Sequence, residues 1–540
     1  MDTPHTALEL IKKLSQVGIA LSAEKDNARL MELILQSAKE VTNADGGTLY
    51  IRTEDDKLIF EIMLTDSLGI HMGGTSGEPI TLPPVRLFDD DNRPNYKTVA
   101  ARAAVSGDTV NVLNAYDSDE FDFSGTHDFD RRTGYRSTSF LTVPMRNHDD
   151  EVTGVLQLIN AKNAERETIS FTEADQLVVE SLASQAAIAL TKKRLLDEQR
   201  VLFESFIELI ATAIDDKSPY TGGHCRRVPE LTMMLANAAA KVDYGPLKDF
   251  TMNEDDRYEL RIAGWLHDCG KVTTPEYVVD KATKLETIYD RVHLVDTRFV
   301  VLKRDAEIAA LKAQLGATEK EREEINRSLQ ETLDYLEGER AFIAKCNIGT
   351  ETMDEADKSR IRSMARHRYV NQNGEDCPLL TEEEIRNLTV SRGTLTSEER
   401  EIINYHIVAT IKMLEQLPYP KHLRRVPEFA GGHHERMDGK GYPKGLVREE
   451  MSVQARIMGI ADIFEALTAG DRPYKKAMPI SQALTILGKM KVDNHVDPDL
   501  FDVFMREQVY LDYAEKFLDR AQLDEFVLSE IPGFQATLDN

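Results

Sequence analysis

Gly431-Gly-His-His-Glu-Arg-Met-Asp-Gly-Lys-Gly-Tyr-Pro-Lys-Gly-Leu446 sets two imidazoles, His433 and His434, side by side, follows them with the carboxylates Glu435 and Asp438, and ends in a turn rich in glycine. Adjacent side chains on a helix diverge by about 100°, so a His-His pair is a poor structural filler but can serve two metals, or a metal and a phosphate. A loop of this composition implies a bound group whose remaining contacts lie elsewhere in the chain.

Upstream, Ala263-Gly-Trp-Leu-His-Asp-Cys-Gly-Lys delivers His267 and Asp268 side by side in an apolar helical segment, with Lys271 four residues after the histidine. The His-Asp dipeptide alone carries no weight, because His127-Asp128 and His148-Asp149 occur without that context. Inside an apolar segment a structural role would demand a buried acid with no obvious partner, and a metal supplies one. Pro219-Tyr-Thr-Gly-Gly-His-Cys-Arg-Arg-Val places His224 at the start of a helix that continues through Leu231, Met234 and Leu235; Ala461-Asp-Ile-Phe-Glu-Ala-Leu-Thr adds Asp462. Imidazoles and carboxylates without a thiolate suit iron, manganese or another first-row ion better than a structural cysteine zinc site. Asp268, between two histidine-bearing elements, is placed to bridge two ions. Two ions about 3.5 to 4 Å apart would acidify a bridging water and favour in-line attack on phosphorus, so the expected chemistry is phosphoester hydrolysis. Glu435 is read as a residue that orients a ligand histidine.

Composition narrows the class. A chain of 540 residues exceeds one core and implies two or three units. Lys and Arg number 66 against 93 Asp and Glu, a net charge of -27, which argues against binding to nucleic acid polymers or an anionic membrane and requires any anionic substrate to be attracted locally. The four cysteines, Cys225, Cys269, Cys346 and Cys377, form no CxxC pair, and no apolar run is long enough to cross a bilayer; a soluble cytoplasmic protein is expected.

The N-terminal third has a different texture. Apolar spacings predict helices around Leu8 to Leu21 and from about Ala28 to Val41. Gly47 to Arg52 and Leu58 to Met63, rich in β-branched and aromatic residues and split by the polar turn Thr53 to Lys57, predict a hairpin, with further strands at Thr109 to Leu113, Ser139 to Pro144 and Val152 to Ile159. From Thr172 to Asp216 helical spacing returns without a strong breaker, and Ile188, Leu195, Leu202 and Leu209 recur every seven residues. That pattern predicts a long connecting helix, either paired with the same helix of a second subunit or lying on its own domain.

Asn114-Ala-Tyr-Asp, Phe121, Thr133-Gly-Tyr-Arg-Ser-Thr-Ser-Phe-Leu-Thr-Val-Pro and Gly154-Val-Leu-Gln-Leu-Ile-Asn resemble a GAF domain over roughly residues 15 to 190, which implies an α+β fold and a small-molecule ligand. Asn160, Phe171 and Asp175 match the signature of nucleotide-binding GAF domains, whereas Ala161 and Gln176 depart from it; these positions either serve a ligand or hold the sheet to its closing helix. The histidine and aspartate motifs, taken with Gly441-Tyr442-Pro443 and Asp471-Arg-Pro-Tyr-Lys, resemble the HD-GYP domain of bacterial cyclic di-GMP phosphodiesterases over about residues 200 to 300 and 395 to 535. The resemblance implies metal ligands at His224, His267, Asp268, His433, His434 and Asp462, with one further histidine. It also implies Lys271 at the scissile phosphate, with Asp268 as its catalytic companion. Arg472 and Lys475 would then meet the other phosphate or a guanine, and Tyr442 would shape the pocket.

Two departures qualify this resemblance. Tyr220 stands where some members carry a glutamate for a third metal, which predicts two metals, iron or manganese. A long insertion separates His267 from His433; within it Val300 to about Ala344 reads as a helical hairpin turning at Gly316, a solvated arm or a partner-binding one. The insertion offers His406 and His293 as the seventh ligand, and His406 is chosen because its preceding Leu395-Thr and Ile-Ile fit the family pattern better; His422 and His367, in basic surroundings, are read as surface residues. The expected organisation is multidomain: a GAF-like sensory domain over 1 to 171, a connecting helix over 172 to 216, and an all-α HD-GYP domain over 217 to 540 with the insertion at about 300 to 394. The activities in play are cyclic di-GMP hydrolysis to pGpG and GMP under GAF control, a cyclic-dinucleotide receptor without turnover that acts through protein partners at the insertion or Gly-Tyr-Pro surface, and a phosphohydrolase of another nucleotide.

Overall fold

A computed structural model describes residues 4 to 24, 26 to 217, 223 to 349, 352 to 470 and 477 to 535. The chain divides into two compact units, residues 1 to 203 and 204 to 540. Among the described residues no helix is long and apolar enough to cross a membrane.

The first unit is a sheet between helices. α1 (Pro4–Ala23) and α2 (Asn27–Thr42) precede β1 (Ala44–Arg52), β2 (Lys57–Thr65), β3 (Ile70–Gly73) and β4 (Val85–Arg86); α3 (Val99–Ser106), β5 (Val110–Val112), α4 (Ser124–Thr133), β6 (Phe140–Arg146), β7 (Val152–Lys162) and β8 (Thr168–Ile169) follow. The antiparallel sheet runs β3-β2-β1-β7-β6-β5, with β4 on β2 and β8 on β7. Alternation explains its two faces. Leu49, Leu156 and Leu158 point toward Leu30, Ile34 and Leu35 of α2, whereas Tyr50 and Val155 pack against Ala100, Ala101 and Ala104 of α3. α5 (Glu173–Lys217) is a single helix of 45 residues, unbroken because it contains neither proline nor glycine. Its Leu182, Ala183 and Ala186 close the first core.

The nucleotide-type signature is spent on structure. Asn160, in the left-handed region at φ 57°, accepts from the Thr138 and Ser139 amides at 2.7 and 3.2 Å and donates to the Arg136 carbonyl at 2.8 Å. Phe171 is buried in the core and Asp175 accepts from the Thr172 amide at 2.8 Å, at the start of α5.

The second unit is helical. α6 (His224–Ala239), α7 (Glu254–Leu266), the short α8 (Glu276–Val279), α9 (Val292–Gln314), α10 (Glu319–Asn347), α11 (Glu355–Met364) and α12 (Glu382–Leu388) lead to α13 (Ser397–Glu415), α14 (Val426–Gly431), α15 (Val453–Thr468), α16 (Ile480–Val492), α17 (Pro498–Arg506) and α18 (Val509–Phe517). Its main core joins Val228, Leu231, Leu260, Ala263, Phe429, Ile457, Phe464 and Phe504, so four helices that bear histidine or aspartate motifs share one apolar interior.

The insertion has a core of its own, built on Leu285, Val295, Phe299, Leu336, Ile343, Ile361, Met364, Leu379 and Leu388. α9 and α10 form the expected hairpin with Gly316 at φ 91° in its turn. The expectation of an all-helical unit needs one correction: β9 (Arg368–Val370) pairs with β10 (Asp376–Pro378). Asn371-Gln-Asn-Gly374 explains it, since such residues favour the positive φ of a tight turn and Gly374 stands at φ 80°. At the base of the insertion, Lys281 donates to Glu399 at 2.7 and 2.8 Å, and Glu399 in turn caps α13, the helix that carries His406.

Candidate metal centre

Backbone carbonyls fix the imidazoles before any ligand arrives. Nδ1 of His267 donates to the Gly264 carbonyl at 2.7 Å, that of His406 to Ile403 at 2.5 Å, and that of His433 to Ala430 at 2.6 Å. A carbonyl only accepts, so each of these rings holds its proton on Nδ1 and aims Nε2 at the centre. His224 is held differently: its Nδ1 contacts the Glu465 carboxylate, which also accepts from Arg227 Nε at 2.7 Å.

Asp268 stands between two groups of rings. Its Oδ2 lies 3.2 Å from His224 Nε2, 3.3 Å from His267 Nε2 and 2.5 Å from Lys271 Nζ, while Oδ1 lies 3.3 Å from His406 Nε2. Asp462 Oδ1 adds a second carboxylate 3.3 Å from His224 Nε2. On the other side His434 Nε2 faces His406 Nε2 at 3.2 Å, and His433 presses its ring against His434 with centroids 4.2 Å apart. The donor atoms of His224, His267 and Asp462, of His267, Asp268 and His433, and of His406, His433 and His434 each fall within 4.8 Å of one another.

These residues fit a metal. His433 Nε2 and Asp268 Oδ1 are buried and have no hydrogen-bond partner, an arrangement that costs about 1 to 3 kcal/mol per group unless something else binds there. The two sides also differ in charge. Burial holds His433 well below the usual imidazole range, helped by the neighbouring His434 and His267, and it lowers His434 to about 4. Those rings therefore present neutral lone pairs at physiological pH. Around Asp268 burial opposes charge, yet the carboxylates prevail: His267 is raised to about 9 by Asp268 and Asp462, and His224 is raised by Glu465, Asp268 and Asp462. Lys271 likewise overcomes burial and rises to about 12 beside Asp268 and Asp462. The carboxylate side calls for positive charge, and the imidazole side offers neutral ligands.

The structure brings together His224, His267, Asp268, Lys271, His406, His433, His434 and Asp462. Tyr442 joins them, its ring stacked on His434 with centroids 4.8 Å apart and planes 20° from parallel; the Tyr442–Pro443 peptide is cis. His293 sits exposed on α9, so it lies outside the cluster, and His422 is exposed as well. Tyr220, Arg472 and Lys475 lie outside the described residues. Glu435 plays a different part from the one expected: it accepts from the Lys444 and Leu446 amides at 2.7 and 2.9 Å and so pins the Gly-Tyr-Pro turn instead of orienting a histidine. Glu465 is the functional residue missing from the sequence reading. An acid three residues after Asp462, within the apolar run Ile457 to Leu467, is its signal, because such an acid needs a buried partner.

A GAF domain model matches residues 26 to 190, and two HD domain models match residues 221 to 358 and 381 to 500. The 3'3'-cGAMP-specific phosphodiesterase 3 of Vibrio cholerae is 41% identical over 109 residues, 20% of this chain and 23% of that protein. A probable cyclic di-GMP phosphodiesterase of the same organism is 41% identical over 93 residues, 17% of this chain and 21% of that protein. A cyclic di-GMP phosphodiesterase of Thermotoga maritima is 34% identical over 126 residues, 22% of this chain and 34% of that protein. The chain thus spans at most about a third of the length of these relatives. The GAF model matches the N-terminal part of the chain and the HD models two stretches of the remainder.

Proposed function

We propose that this chain is a metal-dependent phosphodiesterase that opens cyclic di-GMP to linear pGpG and carries it on to GMP. One observation carries the reading: a single carboxylate, Asp268, is shared by two groups of imidazoles, with the Lys271 ammonium beside it. His224, His267, Asp268 and Asp462 would hold one divalent ion, and Asp268, His406, His433 and His434 a second, iron or manganese by their donor set. Bound ions would supply Lewis acidity for hydrolysis of a phosphodiester. The chain's own residues do the rest. Lys271 remains charged at any physiological pH and offers a cation to the scissile phosphate, which matters on a protein whose net charge is -27. Tyr442, held flat against His434, offers an aromatic face to a guanine. Arg472 and Lys475 are assigned the second phosphate or a base.

The names of the relatives favour one further substrate, 3'3'-cGAMP, which differs from cyclic di-GMP in one base. The GAF domain would bind a small molecule and control turnover, and the protein would work in the cytoplasm as a homodimer. Ile188, Leu195, Leu202 and Leu209 on α5 support pairing with a second copy, being exposed at 55, 50, 58 and 62% despite their apolar heptad spacing. Protein partners would meet the insertion or the Gly-Tyr-Pro surface. The test is to incubate the manganese- or iron-loaded protein with cyclic di-GMP, 3'3'-cGAMP and nucleoside phosphates beside an Asp268→Ala control. Cleavage of a cyclic dinucleotide by the wild type alone is expected; binding without turnover would leave a receptor in its place. Control by the GAF domain fails if removing residues 1 to 170 leaves turnover unchanged.

A further inference from the structure

The last turn of α5 turns two of its charged side chains, Asp215 and Lys217, onto backbone, while Asp216 between them is exposed. Asp215, 5% exposed, accepts from the Gly223 amide at 3.0 Å and from the Cys225 amide at 3.2 Å. These are free N–H groups at the start of α6, whose first residue is His224 and whose own N-cap, Gly223, has no side chain to offer. Two residues on, Lys217 Nζ donates to the carbonyls of Lys271, Val272 and Thr274 at 3.2, 2.6 and 2.6 Å, at the end of the 3-10 turn that follows Asp268, where the Lys271 carbonyl also accepts from the Thr274 amide. One turn of helix therefore holds the backbones of His224 and Lys271, and both of those side chains converge on the same atom, Asp268 Oδ2, at 3.2 and 2.5 Å. Ile207, Ala211 and Ile214 anchor that turn in the core of the second unit.

We infer that Asp215 and Lys217 are positioning residues: the last turn of α5 sets where His224 and Lys271 meet Asp268. Asp215 fixes the origin of α6 and with it the imidazole of His224. Lys217 fixes the strand of carbonyls behind Lys271 and with it the ammonium. Because α5 runs unbroken from Glu173, a shift or rotation of its end moves the two groups together. The inference rests on the metal-dependent phosphodiesterase reading of the same site.

The test uses the full chain. Mn2+ binding is followed by quenching of Trp265, the single tryptophan, which stands two residues before His267, and turnover is measured on bis(p-nitrophenyl) phosphate. Asp215→Ala is expected to weaken Mn2+ binding by about tenfold, the low end of what loss of an outer support costs a metal site. Asp215→Asn should restore it, since the amide oxygen still accepts from the α6 amides. Lys217→Ala should lower kcat about tenfold with KM near the wild-type value, as expected for a displaced reacting group, and Lys217→Arg should recover part of the loss. If either alanine variant does not fold, Asp215→Glu and Lys217→Met replace them with the same expected outcomes. Folded variants with wild-type Mn2+ affinity and wild-type kcat overturn the inference, as do losses that Asn and Arg fail to rescue. Wild-type protein that binds Mn2+ but cleaves no phosphodiester removes the phosphodiesterase reading instead, and the Mn2+ arm at Asp215 then decides the positioning role.

Discussion

The same dipeptide, His-Asp, occurs three times in this chain and meets three different fates. His148 and Asp149 sit in the turn between β6 and β7, 68 and 63% exposed, their side chains paired with each other at 3.2 Å and the Asp149 amide donating to Asn147 at 3.0 Å. His127 lies on α4 with its ring stacked on Tyr116 at 4.4 Å, and Asp128 pairs with Arg131 one turn away. His267 and Asp268 are 0 and 2% exposed and touch His224, His406 and Lys271. In the first unit His148, Asp149 and Asp128 spend their side chains on solvent or local partners, and His127 Nε2, though buried without a hydrogen-bond partner, belongs to no cluster of ligand atoms among the described residues; in the second unit buried atoms with capacity left over converge. Convergence of several buried atoms with capacity left over, not the dipeptide itself, separates a site from a coincidence.

Substitution at Asp268 gives the largest contrast. Asp268→Ala should lower phosphodiester turnover by about 10³ or more, since it removes the carboxylate common to both groups of rings. His148→Ala should leave turnover at the wild-type rate in the same assay. At Glu465, Glu465→Gln leaves Arg227 and His224 without their shared anion and is expected to weaken metal affinity by about 10- to 100-fold in a calorimetric Mn2+ titration. Asp128→Asn, beside the exposed copy, should change nothing in that titration.

Two glycines extend the comparison to packing. Gly270 lets the turn after Asp268 lie on α13: a Cβ there would stand 1.9 Å from the His406 carbonyl and 2.5 Å from the Thr410 amide, backbone atoms that cannot swing aside. Gly270→Ala should therefore destabilise the second unit by about 1 to 3 kcal/mol. Calorimetry would show that unit's transition moving down. Gly125, two residues before His127 on α4, has nothing within 4 Å of its Cβ position, so Gly125→Ala should leave the first transition in place or raise it by up to about 1 kcal/mol through helix propensity. The smallest effects belong to the other two copies themselves. His127→Ala should cost about 1 kcal/mol, the worth of its stack on Tyr116, and His148→Ala less than about 0.5 kcal/mol.

Much of this contrast was legible in the sequence, for physical reasons. The hairpin of β1 and β2 shows as two β-branched runs around a polar turn, and α5 as a long stretch without a breaker. His267 and Asp268 stand out because strongly polar groups interrupt an apolar segment, which folding does not tolerate without a partner, and His433 and His434 because adjacent imidazoles in a glycine-rich loop have no structural use. Other features depend on contacts between distant segments, and composition does not encode them. Asp215 and Lys217 look like an ordinary solvated helix end until α6 and the Lys271 turn are seen to close on them. Glu435 resembles its neighbouring ligands in sequence, yet two backbone amides claim it. The insertion's separate core was hidden because Leu285 and Leu388, which meet in it, lie on opposite sides of a charged hairpin.

Anomalous X-ray scattering from crystals grown with Mn2+ tests the metal centre most directly. The expected result is two peaks, one beside Asp268 Oδ2 among His224, His267 and Asp462, and one beside Oδ1 among His406, His433 and His434, both lost in Asp268→Ala. Wild-type crystals with no anomalous density within reach of His267 or His434 would contradict a metal site there.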